Sequence, residues 1–252
     1  MSQPKHPRFQ AHQYQIAARP REIAVLASGG LDSSVLLATL AANYRRVHPI
    51  YVRAGLYWEQ SEICALSRFV SAMNSPRVES AKVLELPMFD VSGPDWTTTG
   101  QNPPGYRAAV ESNYIVGRNL TLLAKAAVYC VKAKIGELAM APLQANPFPD
   151  ARRKFFAAFE KAVELGTGLR LRIVTPFAVM TKAEVIALGL ALPLQFTITC
   201  VRPRGFIHCG ACTKCAERIA GFRAAGVVDP TRYATAGKPR EAAKRPKRGR
   251  AT

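Results

Sequence analysis

Acidic residues and long apolar runs are both scarce in this chain of 252 residues. Asp and Glu number 17 against 35 Lys and Arg, which leaves a formal net charge of +18. No stretch reaches the length of a membrane span, and Met1 to Pro20 is polar, without the apolar core of a secretion signal. We therefore expect a cytoplasmic protein rather than a membrane or secreted one. The chain also lacks a Gly-x-x-x-x-Gly-Lys sequence, which disfavours Walker-type kinases and GTPases.

The most informative stretch is a short loop that follows the apolar run Ile23 to Ala27. It reads Ser28-Gly29-Gly30-Leu31-Asp32-Ser33-Ser34. Two glycines let the backbone turn tightly off a strand end and present bare N–H groups, and the serine hydroxyls add donors. A helix that begins near Asp32 would point its positive end at the same place. This pattern is typical of the pyrophosphate-binding loop of enzymes that adenylate a substrate. Ala27 and the seven residues after it are therefore candidate ATP-binding residues.

Asp32 is an unexpected residue in a loop that binds an anion. A divalent cation that bridges its carboxylate to phosphate oxygens would explain it, so the sequence predicts Mg²⁺. The simpler alternative is a Gly-Gly turn followed by an Asp-Ser-Ser helix cap. The order of strand, glycine pair, aspartate and hydroxyls favours the phosphate-binding interpretation.

Much of the positive charge lies in a C-terminal tail, residues 233–252. One acid, Glu241, stands there among the cations Lys238, Arg240, Lys244, Arg245, Lys247, Arg248 and Arg250. This composition predicts disorder. Such a tail can bind nucleic acid through counterion release, but a simple solvated extension explains the same composition equally well.

Four of the six cysteines lie close together in sequence, as Cys200, Cys209, Cys212 and Cys215. Two consecutive x2 steps cannot easily form unstrained disulfides, whereas four thiolates satisfy tetrahedral zinc. A zinc ion closed off by four thiolates has no open position for water, so we expect a structural site that pins a zinc-binding segment, residues 200–232, to the main domain. An iron–sulfur cluster is the main alternative, and thiolate spacing does not settle the metal.

Between these landmarks the chain alternates strands and helices, which predicts an α/β fold with a doubly wound, mostly parallel, Rossmann-like sheet. The main domain spans 21–199, after an N-terminal extension, 1–20. Strands are predicted at Ile23–Ala27, Pro49–Val52, Lys82–Leu86, Glu137–Ala141 and Leu171–Thr175. Helices are predicted at Ser33–Ala42, Glu59–Met73, Leu120–Lys134 and Arg152–Leu165, with a further short helix that starts at a capping box, Thr181 to Glu184. Asn119 and Asp150 are the expected caps of the third and fourth helices.

Ligands of such a sheet bind outside the carboxyl ends of the strands, where the Ser28–Ser34 loop falls. The longest loop on this side, residues 87–119, is rich in Gly, Pro and Thr and is predicted to be a substrate loop or lid. It ends in Gly117-Arg118-Asn119, where the arginine can hold a phosphate or carboxylate in a bidentate manner. A surface insertion without function is the alternative.

Taken in order, these motifs resemble the 7-cyano-7-deazaguanine (preQ0) synthases of the adenine nucleotide alpha hydrolase-like group. The resemblance spans roughly residues 22–230. It rests on the loop at 28–34, on Val116-Gly117-Arg118-Asn119, on Phe148-Pro149-Asp150-Ala151-Arg152, on Thr181-Lys182-Ala183-Glu184, and on Cys200 with Cys209-Gly210-Ala211-Cys212-Thr213-Lys214-Cys215. The glycine loop and the cysteine cluster together are far more specific than either is alone.

This resemblance implies a ligase that adenylates the carboxylate of 7-carboxy-7-deazaguanine with ATP and lets ammonia displace AMP, after which a second adenylation gives the nitrile. Asp32, Lys182 and Arg118 are the expected catalytic residues. Gly117, Arg118 and Asn119 join the loop in binding ATP, and Phe148, Asp150 and Arg152 bind the acid. The implied cofactors are ATP, Mg²⁺ and a structural Zn²⁺. Related enzymes are often dimeric, so a homodimer is one expectation.

The chain departs from the family near the place where the deazapurine would be recognised. An aromatic-Gly-Gln segment is replaced by Arg53-Ala54-Gly55-Leu56-Tyr57, and Asp-Tyr-Ser-Gly is replaced by Gln144-Ala145-Asn146-Pro147. A paralogue that activates a different acid is therefore one alternative. The others are a tRNA-thiolating enzyme, which needs free cysteines, and an inactive zinc-containing protein that binds nucleic acid.

Overall fold

The computed structural model describes residues 22–235. The predicted N-terminal extension and residues 236–252 of the predicted tail, which include all seven cations named above, lie outside the described residues. Residues 233–235, the first of that tail, lie against the cysteine segment: Ala234 N–H donates to the His208 carbonyl at 2.8 Å, and the Thr235 hydroxyl donates to the Cys209 carbonyl at 2.7 Å.

Within residues 22–235 five strands form one parallel sheet. They are β1 (Glu22–Leu26), β2 (Arg46–Arg53), β3 (Lys82–Glu85), β4 (Glu137–Ala139) and β5 (Arg172–Val174). Their order in the sheet is β3-β2-β1-β4-β5. The order reverses between β1 and β4, and a doubly wound sheet binds its ligands at such a switch point. The predicted fold class is confirmed.

Eight α-helices connect and cover the strands in this part of the chain. They are α1 (Leu31–Asn43), α2 (Glu59–Met73), α3 (Phe89–Ser92), α4 (Trp96–Thr99), α5 (Arg118–Ala133), α6 (Arg153–Thr167), α7 (Lys182–Leu188) and α8 (Thr213–Ala224). The short α3 and α4 lie inside the long loop, and α8 begins directly after Cys212 and contains Cys215. None of these three was predicted, because α3 and α4 are single turns and α8 lacks a strong apolar period.

The starts of α5 and α6 differ from the prediction. Gly117 at φ +67°, not Asn119, precedes the first residue of α5. Asp150 does not cap α6; its Oδ2 accepts the Asn119 backbone N–H of α5 at 3.0 Å. The aspartate thus caps a neighbouring helix from another segment, which local sequence spacing cannot reveal. The capping box of Thr181 and Glu184 is confirmed.

Alternating residues of β1 pack on opposite faces of the sheet. Ile23 and Val25 face the layer formed by α1, α2, α7 and α8, whereas Ala24 faces α5 and α6. A third buried cluster joins Trp58 and Ala65 to Ile198 and three of the cysteines. The cysteine segment therefore packs directly on α2 through its own apolar core.

Candidate active site and metal centre

The loop from Ser28 to Ser34 lies at the carboxyl end of β1 and leads into α1. Its serines hold its shape: Ser28 N–H donates to the Ser33 hydroxyl, which in turn donates to the Gly30 carbonyl, each at 3.2 Å. No side chain among the described residues caps the start of α1. Its first N–H groups are therefore available to an anion, and the helix dipole adds to their attraction.

Gly29 is required by both conformation and space. Its φ is +70°, and a Cβ built there would meet the carbonyl oxygen of Glu62 and lie 2.8 Å from the backbone nitrogen of Leu66. Neither neighbour can move aside, because both belong to the backbone of α2. The loop is thus seated on α2 at the level of Glu62.

A row of alternating charges begins at this loop. Lys182 Nζ lies 2.6 Å from Asp32 Oδ2 and 3.0 Å from Glu217 Oε1, and Glu217 Oε2 contacts the ammonium group of Lys214. Burial alone would lower the pKa of Lys182, but the two carboxylates outweigh burial and raise it. Burial likewise opposes ionisation of Glu217, but Lys182 and Lys214 lower its pKa to about 2. The four side chains form one continuous row of contacts between acidic and basic groups.

Asp32 also carries an oxygen suited to a cation. Its Oδ1 is buried and finds no hydrogen-bond partner among residues 22–235, whereas its Oδ2 faces Lys182. A buried carboxylate oxygen without a hydrogen-bond partner is the kind of ligand that Mg²⁺ prefers. The residues present therefore fit the predicted ion.

The four clustered cysteines converge as the sequence predicts. All four sulfur atoms lie within 4.8 Å of one another, with 3.9 Å between Cys209 and Cys215 and 3.5 Å between Cys212 and Cys215. Tetrahedral zinc with bonds of about 2.3 Å requires sulfur separations of roughly 3.8 Å. Backbone N–H groups of Arg202 and Cys209 also donate to the Cys200 sulfur at 3.3 and 3.2 Å. The cluster is shaped to hold a metal ion.

Two cavities adjoin at the carboxyl end of the sheet. The loop cavity, about 260 Å³, is lined by Ser28, Asp32, Ser33 and Lys182 among others. The aromatic cavity, about 190 Å³, lies beneath the long loop. Six residues line both cavities and so mark their junction: Glu62, Arg118, Asn119, Asn146, Thr199 and Lys214.

Two stacked aromatic pairs line the aromatic cavity. Trp58 and Trp96 have ring centroids 5.8 Å apart, and Tyr114 and Phe148 have centroids 5.0 Å apart. Trp96 and Tyr114 belong to the loop at 87–119, so that loop supplies part of the cavity wall. Flat aromatic walls of this kind suit a planar ring.

Glu62 is a functional candidate that sequence reasoning missed. Burial raises its pKa to about 7, although Arg118 and the Tyr51 hydroxyl, 2.7 Å away, act in the opposite direction. It lies on α2 between Glu59 and Ala65, and no motif marks it as different from a surface glutamate. Only the seating of Gly29 on α2 brings it to the junction of the two cavities.

Most of the predicted site residues meet at these cavities, although they come from distant segments. Lys182 borders the loop cavity, Arg118 and Asn119 lie at the junction, and Phe148 and Asp150 line the aromatic cavity. The remaining predicted residues lie outside both linings. Arg152 is exposed and donates to the Pro147 carbonyl at 3.2 Å, and Gly117 precedes α5. Within the loop, Gly29 faces the backbone of α2 and Ser34 is fully buried.

Comparison with known proteins identifies this architecture. The family model described as "Queuosine biosynthesis protein QueC" matches residues 22–226. This chain belongs to the QueC family. The match includes every residue that lines the two cavities and all four clustered cysteines.

Several proteins named 7-cyano-7-deazaguanine synthase are similar to this QueC-family chain over most of its length. The protein of Acetivibrio thermocellus is 31% identical over 84% of this chain and 98% of its own length. That of Xylella fastidiosa strain M23 is 30% identical over 84% and 95%, and that of Ralstonia pickettii is 31% identical over 83% and 97%. The match to a solved structure described as a predicted subunit of tRNA methyltransferase from Methanocaldococcus jannaschii covers 67% of this chain and 74% of that chain, with 14% identity and a TM-score of 0.38.

No helix among residues 22–235 is long and apolar enough to cross a membrane.

Proposed function

We propose that this protein adenylates a planar aromatic carboxylic acid with ATP and amidates it with ammonia, and that the acid is 7-carboxy-7-deazaguanine. The observation that carries the proposal is the pair of adjoining cavities. One is bordered by a phosphate-binding loop, and the other is walled by two stacked aromatic pairs. A reaction that joins a nucleotide to a flat acid needs both sites to meet at the reacting atoms. The family and the names of its relatives support the same assignment.

The loop cavity suits ATP. The free N–H groups at the start of α1 and the hydroxyls of Ser28 and Ser33 can receive the departing pyrophosphate, and Lys182 adds a positive charge. Asp32 would hold Mg²⁺, which supplies further positive charge to the phosphate oxygens when it is bound. Catalysis would then consist of positioning and electrostatic stabilisation.

In the first step, a carboxylate oxygen of the acid attacks the α-phosphorus of ATP and the bond to pyrophosphate breaks. Ammonia then attacks the acyl carbon, AMP leaves, and an amide forms after loss of a proton. A second adenylation, on the amide oxygen, followed by loss of AMP and of the amide protons, gives the nitrile. Arg118 is well placed at the junction, because its Nε is buried and finds no partner among the described residues.

The aromatic cavity also offers acids that can recognise a guanine-like edge. The family's Asp-Tyr-Ser-Gly stretch is absent, and Asn146 from the replacement lines the cavity instead. Glu62 and Asp150 nevertheless place carboxylates in its wall. Their oxygens can accept the N–H groups of a deazaguanine ring. The replacement supports one second candidate, a paralogue that activates a different flat acid in the same cavity.

The test is release of pyrophosphate and AMP from MgATP, with 7-carboxy-7-deazaguanine and ammonium present or omitted, while the small-molecule product is followed by mass. We expect release that depends on the acid and a product with the mass of the amide or nitrile. Asp32→Ala should abolish release, because the carboxylate beside the phosphate loop is lost.

Each contrary result has a distinct meaning. Binding of ATP without turnover of this acid would favour the paralogue and contradict the assigned substrate. Failure to bind ATP would contradict adenylation altogether and favour a binding protein without activity.

A further inference from the structure

Lys214 is a cation at the junction of the two cavities that the proposed function does not yet use. Of the six residues that line both cavities, only Arg118 and Lys214 carry a fixed positive charge. The proposed reaction brings two anions together at this junction, the carboxylate of the acid and the α-phosphate of ATP. Two cations at the same place suit that encounter.

The backbone around Lys214 is held on both sides. The residue stands between Cys212 and Cys215, whose sulfur atoms belong to the metal-binding cluster. The preceding residue, Thr213, donates its N–H to the Pro104 carbonyl at 3.1 Å and its hydroxyl to Asn113 at 2.6 Å. The start of α8 is therefore tied both to the cysteine cluster and to the long loop over the aromatic cavity. A side chain on such a support is well positioned for catalysis.

The charge balance leaves room for an incoming anion. Asp32 and Glu217 together compensate Lys182 and Lys214, so the row of four charges is neutral. The Arg118 side chain has its Nε unpaired among the described residues. The Lys214 side chain is about a third exposed, and its ammonium group has three donors, so it can bind a ligand while one donor still faces Glu217.

We propose that Lys214 is a further catalytic residue of this site. Its ammonium group contacts the carboxylate of the acid and stabilises the α-phosphate while the acyl-adenylate forms. This inference rests on the proposed function. The carboxylate oxygen forms its bond to phosphorus as the bond to pyrophosphate breaks. Lys214 transfers no proton in this step and acts as a positive charge beside the two anions. The four-cysteine segment thereby contributes to catalysis as well as to the fold, because it positions this lysine at the junction.

A helical Lys–Glu pair with no role in catalysis is the competing explanation, and the chain contains a matched control. Lys161 and Glu164 of α6 form the same i,i+3 pair, with Nζ 3.0 Å from Oε2, and neither residue lines the loop cavity or the aromatic cavity. Lys182→Met is a second control, because Lys182 lines the loop cavity but not the aromatic cavity.

The protein carries a natural probe for binding of the acid. It contains two tryptophans, Trp58 and Trp96, and both line the aromatic cavity. Titration with 7-carboxy-7-deazaguanine, with and without the non-hydrolysable α,β-methylene ATP, should change their fluorescence. The titration is made on the full chain, and pyrophosphate release is measured in parallel. The variants are Lys214→Met, Lys214→Gln and Lys214→Arg, with the two control substitutions.

We expect Lys214→Met and Lys214→Gln to weaken binding of the acid by roughly ten- to a hundredfold, which is the usual effect of losing one hydrogen bond to a charged group. Lys214→Arg should restore part of the affinity. Lys182→Met should bind the acid normally without ATP and fail in pyrophosphate release. Lys161→Met should match the unchanged protein in both assays. The metal content and melting temperature of every variant verify that it is folded.

Two results would overturn the inference in distinguishable ways. If the unchanged protein binds the acid and the folded Lys214 variants bind and turn it over equally well, Lys214 is only a surface partner of Glu217 and the proposed function stands. If the unchanged protein shows no response to the acid under either condition, the proposed substrate is wrong and the role of Lys214 toward it is refuted as well.

Discussion

Replacement of Glu62 by glutamine should stabilise the protein above neutral pH and change its stability little near pH 5. The side chain is 7% exposed, and burial raises its pKa from 4.5 to about 7. Arg118 on α5 and the Tyr51 hydroxyl on β2 favour the charged form, whereas Glu59 on the same helix opposes it. A neutral amide avoids the cost of a buried charge, and its oxygen can still accept the Tyr51 hydroxyl.

The sign and size of the effect follow from linkage. Because the pKa is raised in the folded state, the stability that the protonated group contributes is fully present below pH 4.5 and is lost as the pH rises to about 7. At about 1.4 kcal/mol per pKa unit, the difference between 4.5 and about 7 corresponds to a loss of about 3 kcal/mol by pH 8. Less than about 1 kcal/mol is lost at pH 5. Such a loss is large beside a typical folding free energy of roughly 5–15 kcal/mol.

Urea unfolding of the unchanged protein and of Glu62→Gln, at fixed zinc concentration and at pH 5, 6, 7 and 8, measures this difference. Effects of the other titrating groups cancel in the comparison, so the gap in unfolding free energy should widen with pH in favour of the glutamine variant. A constant gap, or a glutamine variant that is less stable at pH 8, would refute the reasoning. It would mean that Glu62 is ionised without penalty, as an ion pair with Arg118.

Two further predictions concern the loop and the metal. Gly29→Ala should weaken binding of MgATP by roughly tenfold or more in calorimetry. The new Cβ would clash with the backbone of α2, and residue 29 has a φ of +70°, which alanine rarely adopts. Gly136→Ala, where a Cβ meets nothing within 4 Å, is the matched control, and equal loss in both would contradict the argument. Cys215→Ser should reduce bound zinc well below one ion per chain in elemental analysis. It should also speed proteolysis of residues 87–119, because Cys212 of the same cluster pairs with Gly105 of that long loop. Unchanged metal content would show that three thiolates suffice.

The amino-acid sequence by itself determined the features that local physics controls. The glycine pair, serines and aspartate of the Ser28–Ser34 loop require a particular backbone, and the structure places them at the end of β1 as predicted. The cysteine spacing requires a common centre, and the four sulfur atoms converge. Strand and helix periodicity likewise predicted the parallel sheet, and the capping box of Thr181 was confirmed.

Only the tertiary structure decided which distant residues meet. Glu62 reaches the junction because α2 packs under Gly29, and Lys214 reaches it because the first turn of α8 belongs to the cysteine cluster. Asp150 caps α5 rather than its own helix for the same reason. Such contacts depend on how separate elements pack, and the chemical type of a residue says nothing about them until the chain is folded. The sequence therefore determined the kind of site, and the fold determined which residues line it.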